Sequence, residues 1–156
     1  MANFAAVPIL RVLQLAMALT SLGLSAKVVN YFMMGSRTAS PTPFIFLIFT
    51  SIFSIFSLVY LVAVPRFAPR VSHPYASISV EMTNTAFYFA GFIALAVYMT
   101  NLTFCRGVVC AVGRADAVFA AAQFTVWIAS TILMAKDLFM KSSRVPKDFN
   151  HEMSQA

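Results

Sequence analysis

Phe44-Ile45-Phe46-Leu47-Ile48-Phe49-Thr50-Ser51-Ile52-Phe53-Ser54-Ile55-Phe56-Ser57-Leu58-Val59-Tyr60-Leu61-Val62-Ala63-Val64 contains no charged residue and no break in its apolar character. A helix crossing roughly 30 Å of hydrocarbon needs about 20 such residues, so this stretch is long enough to span a bilayer. Apolar and polar residues do not alternate along it, which argues against a barrel strand. A helix also satisfies every backbone N–H and C=O without water. Its limits are marked on both sides. Before it, Gly35-Ser36-Arg37-Thr38-Ala39-Ser40-Pro41-Thr42-Pro43 reads as a loop. After it, Pro65-Arg66-Phe67-Ala68-Pro69-Arg70 places two prolines and two arginines where a membrane helix would have to continue.

Three further runs read the same way. One precedes this stretch, from about Val12 to Val29, after Pro8 and Arg11. Two follow it, from about Thr83 to Thr100, led in by Ile78-Ser79-Val80-Glu81, and from about Ala117 to Ala135, followed by Lys136-Asp137. With their lead-in residues, the expected helices cover about 10–31, 44–64, 78–100 and 115–138. The predicted fold is an all-α membrane protein, a four-transmembrane-helix bundle over residues 1–140 with a short tail at 141–156. Arg11 and the small residues around Ser21-Leu22-Gly23 also fit a cleaved signal peptide, but the apolar run continues past that point, which favours a span.

Composition supports four spans and no soluble domain. The 156 residues are 60% hydrophobic and 10% charged, with mean hydropathy +0.82, more apolar surface than one water-soluble core can hide. The net charge of +6 and pI near 9.8 do not signal nucleic acid, because Lys and Arg lie in short segments between apolar runs and not along one helix face. No nucleic-acid partner is expected.

The basic residues also set an orientation. With the N-terminus cytoplasmic, that side receives Arg11, Arg66, Arg70, Lys136, Lys141, Arg144 and Lys147, leaving Lys27, Arg37, Arg106 and Arg114 outside. Both termini are therefore expected in the cytoplasm. The only cysteines, Cys105 and Cys110, then fall in an outer loop in the oxidising compartment, where they form a disulfide candidate if the chain turns back around Gly107. Two free thiols are the other reading. Asn101-Leu102-Thr103 is an acceptor sequon on that side, close against the third span.

Ionisable groups inside a bilayer are candidates for function, so the depth of each one matters. Lys27, Glu81, Asp116, Lys136 and Asp137 all fall near expected helix ends, where lysines snorkel and carboxylates favour a helix N-terminus. A proton or ion pathway needs polar groups near mid-depth on several helices, and only Gln123, with Ser51, Ser54, Ser57 and Thr125, approaches that description; such groups more often bond across helices or back to a carbonyl. His73 and His151 have neither metal-binding spacing nor cysteine neighbours, and no glycine-rich phosphate loop occurs. No catalytic residue, cofactor site or metal site is expected, and no cofactor.

What remains is packing chemistry. Ala86, Ala90 and Ala94 recur every four residues with Gly91 beside them, a small-residue face that lets helices approach closely. Phe46, Phe49, Phe53, Phe56 and Tyr60 form an aromatic ridge along one side of the second span. The expectation is that the alanine and glycine face closes the bundle, while the ridge at least partly faces outward as a partner or lipid contact. One bundle interior cannot easily hold both.

Arg11-Val12-Leu13-Gln14-Leu15 leading to Leu22-Gly23-Leu24-Ser25-Ala26, Phe87-Tyr88-Phe89-Ala90-Gly91-Phe92-Ile93-Ala94-Leu95-Ala96, and Cys110 ahead of Phe124-Thr125-Val126-Trp127 together resemble the fungal MARVEL-domain tetraspan proteins. The resemblance covers about residues 9–139 and includes the order of spans, the cysteine-bearing loop and the single Trp127. It implies a non-enzymatic protein of the plasma membrane that organises lateral membrane domains or assists trafficking. Its implied partners are membrane lipids, sterols among them, and either further copies of itself or other membrane proteins. A small accessory subunit of a larger membrane complex is the alternative, and a minimal transporter or channel a more distant one, since the runs lack a mid-membrane charge pair.

Overall fold

The computed structural model describes residues 3–36, 40–67, 74–101 and 107–142. Four helices account for nearly all of them. α1 is Asn3–Tyr31 and continues into one π-helical turn at Phe32–Ser36, α2 is Thr42–Phe67, α3 is Pro74–Asn101 and α4 is Val108–Ser142. Each contains a segment long and apolar enough to cross a membrane, at Val7–Gly35, Thr42–Val64, Tyr75–Asn101 and Val108–Met140. The fold is therefore the expected four-span helical bundle, with helices longer than the apolar runs that announce them. α1 starts ahead of Pro8, and α2 runs on to Phe67 through Pro65, which deprives the Leu61 carbonyl of a helical hydrogen bond without ending the helix. α4 is entered through Gly107, whose φ of 108° lies in the left-handed region that glycine alone occupies freely. Its carbonyl accepts from the Ala111 N–H at 3.3 Å.

The helices form a closed square in which α1 lies between α2 and α4, and α3 completes the ring between α2 and α4. The register is antiparallel at each side. Phe44 meets Tyr98 at one end of the α2–α3 seam, and Phe53 meets Phe87 further along it. On the α1–α4 side Gln14 pairs with Gln123, and Ser21 with Asp116.

Which residues face inward follows a heptad rule. On α1 the buried positions are Arg11, Gln14, Ala18, Ser21, Ser25 and Val28; on α3 they are Glu81, Asn84, Tyr88, Gly91 and Leu95. On α4 they include Asp116, Ala120, Gln123, Trp127 and Ser130, and on α2 Phe44, Leu47, Ser51, Ser54, Leu58 and Leu61. Steps of three and four keep one stripe of each helix facing the axis, the geometry of a left-handed bundle. In water those stripes would be apolar. Here lipid surrounds the bundle, apolar side chains gain little by turning inward, and polar ones are costly if turned outward. The stripes on α1, α3 and α4 are accordingly rich in polar residues, while the large apolar side chains of Val12, Leu19, Phe56, Val118 and Ile132 project outward.

Candidate functional site

The inward stripes meet in a polar seam with two clusters. The first centres on Arg11, which reaches across the bundle to ion-pair with Glu81 on α3. Arg11 also donates to Gln14 Oε1 at 3.1 Å, and its guanidinium lies 6.0 Å from the Trp127 ring centroid, within cation–π range. Ser130 on α4 donates to the same Glu81 oxygen at 3.0 Å. Gln123 extends the cluster toward the middle of the bundle, donating to the Gln14 carbonyl at 2.9 Å and lying 3.4 Å from the Tyr88 hydroxyl. Ser51 and Ser54 of α2 sit beside that hydroxyl. The cluster ties α1, α3 and α4 together with α2 alongside through Ser51 and Ser54, and Glu81, Gln14, Tyr88, Gln123 and Trp127 are fully buried.

The second cluster lies toward the other face. Asp116 on α4, fully buried, accepts a hydrogen bond from Ser21 at 2.6 Å and another from Ser25, both on α1. Between the two clusters the inward stripes of α1 and α4 carry Ala18 and Ala120, both fully buried. The small layer lets the helices approach closely while the polar layers above and below fix their register.

This arrangement corrects the reading that Glu81 and Asp116 rest at helix N-termini. α3 begins at Pro74 and α4 at Val108, so each carboxylate stands two turns or more inside its helix, about 10 Å along the axis. Arg11 is likewise not a flanking charge, because α1 begins at Asn3 and carries it into the interior. Lys27, Lys136 and Asp137 are exposed, as positions near helix ends should be. Of the mid-span polar residues, Ser57 and Thr125 bond back to the Phe53 and Ala122 carbonyls. Gln123, Ser51 and Ser54 instead join the seam.

The packing candidates divide. Gly91 is buried, and a Cβ added there would lie 2.8 Å from Leu47 Cδ2, so the Leu47 side chain of α2 packs directly on the Gly91 backbone of α3. Ala86, Ala90 and Ala94 are exposed and do not close the bundle. Ala86 lines a groove of about 430 Å³ between α3 and α4 with Phe89, Phe124 and Ile128, and Ala90 and Ala94 line one between α2 and α3 with Phe46. The reason is register: Gly91 shares the heptad stripe of Tyr88 and Leu95, whereas a strict four-residue step carries the alanines off it. The aromatic ridge also splits. Phe46, Phe49 and Phe53 gather around Phe87 of α3, with ring centroids 6.1, 5.9 and 5.3 Å away. Phe56 is 69% exposed and Tyr60 36%, on the outward flank. Cys110 is buried near the start of α4, while Cys105, His73 and His151 lie outside the described residues. Among the described residues no group of three or more His, Cys, Asp or Glu side chains gathers to hold a metal.

Residues 4–133 match the MARVEL family, described as a membrane-associating domain. The chain belongs to the MARVEL family. No curated protein and no solved structure matches it at a significant level. The match runs from the start of α1 to beyond Ser130, so every member of the polar seam lies within the MARVEL domain. Gln14, Ser21, Ser25, Asn84 and Tyr88 are members that the reading of the sequence gave no role, and Arg11, Glu81 and Asp116 are members it placed at helix ends. The signal was present as polar residues at three- and four-residue steps inside each run.

Proposed function

We propose that this MARVEL domain is a non-enzymatic organiser of the membrane, gathering lateral domains or assisting trafficking through helix–helix and helix–lipid packing. One observation carries the reading. The buried ionisable side chains are engaged in holding helices to one another, Arg11 with Glu81 and Asp116 with Ser21 and Ser25, while the outer surface is apolar, aromatic and grooved. Association in lipid then depends on shape and dispersion, not on a hydrophobic drive. The outward flank of α2, with Phe56 and Tyr60, offers large flat side chains to neighbours. The groove between α3 and α4 offers a rigid apolar recess suited to lipids with planar rings.

In this reading the domain resides in the plasma membrane of a fungal cell with both termini cytoplasmic. It associates with membrane lipids including sterols, and with further copies of itself or other membrane proteins. The test is lateral distribution in living membranes. A fluorescently tagged Phe56→Leu/Tyr60→Leu variant stays apolar on the outward flank but loses the flat rings, and its patches should disperse and its recovery after bleaching should quicken. Unchanged patches and mobility in a correctly inserted variant would refute the proposal. Gentle-detergent purification addresses the accessory-subunit alternative, which requires a stoichiometric larger assembly.

A further inference from the structure

The first polar cluster contains more hydrogen-bonding atoms than its own members satisfy. Gln14 Nε2, Glu81 Oε2, Asn84 Oδ1, Gln123 Oε1 and Trp127 Nε1 are all buried and have no partner among the described residues. They are not scattered. Arg11 holds Gln14 through its only side-chain oxygen, Oε1, and Glu81 through Oε1, Trp127 lies against the same guanidinium, and Gln123 is bonded to the Gln14 backbone. Asn84 lies one turn along α3 from Glu81 and one turn before Tyr88, with its Nδ2 bonded to the Val80 carbonyl.

The chemistry of the five atoms narrows what can meet them. Gln14 Nε2 and Trp127 Nε1 are donors; Glu81 Oε2, Asn84 Oδ1 and Gln123 Oε1 are acceptors. The formal charges of Arg11 and Glu81 already cancel, so the cluster as a whole calls for neither a cation nor an anion. A group that meets donors and acceptors together must itself donate and accept, must be neutral, and must be small enough to sit among fully buried side chains. Leaving these atoms unmet in a bilayer would incur the full desolvation penalty of each buried group. Buried waters in proteins characteristically make about three hydrogen bonds to such orphaned groups.

We propose that the interior of the bundle holds bound water beside the Arg11–Glu81 pair, bridging Gln14, Glu81, Asn84, Gln123 and Trp127. This hydration site lies inside the membrane-spanning part of the domain, with the Ala18 and Ala120 layer between it and the Asp116 cluster. It keeps the ion pair in a polar environment and makes the seam a fixed, hydrated core.

Trp127 is the only tryptophan, so its indole N–H gives a single assignable resonance. Uniformly 15N-labelled protein in lipid nanodiscs should show a dipolar cross-peak between that indole proton and water. The peak should persist in Ser130→Ala, which removes the exchangeable hydroxyl that shares Glu81, and in Ser130→Val if the alanine variant does not purify. Absence of the cross-peak, in a sample where amides at exposed helix ends show theirs, would overturn the proposal. Its loss in the Ser130 variant would do the same, because the signal would then belong to the hydroxyl. The result does not depend on whether the protein clusters in membranes.

Discussion

Removing one member of the Arg11–Glu81 pair should be worse than removing both. Arg11→Met leaves the Glu81 carboxylate fully buried, with a single hydrogen bond from Ser130 in place of its counter-ion. Glu81→Leu leaves the guanidinium with only Gln14 Oε1 and the Trp127 face. An uncompensated buried charge costs about 3–5 kcal/mol, and either single variant should lose that much. In the double variant Arg11→Met/Glu81→Leu no charge is stranded. What remains is the loss of partners for Gln14 Oε1 and Ser130 Oγ, at about 1 kcal/mol each, so the double variant should lose about 2 kcal/mol. At about 2–4 °C per kcal/mol for a chain of this size, the singles melt roughly 6–20 °C below wild type and the double roughly 4–8 °C below. The assay is thermal unfolding of purified protein in one mild detergent, read by intrinsic fluorescence and by circular dichroism. A double variant less stable than both singles, with losses that simply add, would refute the claim that the pair is one electrostatic unit inside the bundle.

Other outcomes follow from the same geometry. Gly91→Ala should destabilise by about 1–3 kcal/mol, because its Cβ meets Leu47 at 2.8 Å, whereas Ala90→Leu and Ala94→Leu at exposed positions should change melting by no more than about 0.5 kcal/mol. Asp116→Leu strands the Ser21 and Ser25 hydroxyls and should lower stability by about 2 kcal/mol, with double substitution of the serines by alanine in the same background restoring part of it. Non-reducing mass spectrometry should recover Cys105 and Cys110 as a disulfide, whose reduction costs at most about 2–3 kcal/mol for so short a loop; free alkylation of both thiols in native membranes would exclude it. A tag on the 141–156 tail should resist protease in sealed right-side-out vesicles, and its cleavage there would reverse the assigned orientation.

The four spans are legible because an uncharged apolar run such as Phe44 to Val64 has one economical solution in a bilayer. The polar seam is harder to see for a reason rooted in the solvent. In a water-soluble bundle the inward stripe is the apolar one, and reading the runs for their apolar faces passes over residues such as Gln14, Ser21 and Asn84. In lipid the informative stripe is the polar one, and Arg11, Gln14, Ser21 and Ser25 keep the three-four spacing that marks it. Helix length is the second obstacle. Glu81 and Asp116 look terminal when a helix is taken to begin with its apolar run, but α3 and α4 begin at Pro74 and Val108, more than two turns before those runs. The alanine face misleads because Ala86, Ala90 and Ala94 are small without being on the inward stripe, whereas Gly91 is both. The Phe46, Phe49 and Phe53 part of the ridge turns to α3 because Phe87 stands opposite it, a long-range pairing that no local pattern encodes.

The central claim is that this MARVEL domain is built polar inside and apolar outside, and photolabelling by lipids with a diazirine on the acyl chain tests it on the unmodified protein. Mapped by mass spectrometry, adducts should concentrate on outward residues such as Phe56, Ile93, Val118 and Ile132, and spare Gln14, Tyr88, Gln123 and Trp127. Adducts on the second group at the frequency of the first would contradict the account.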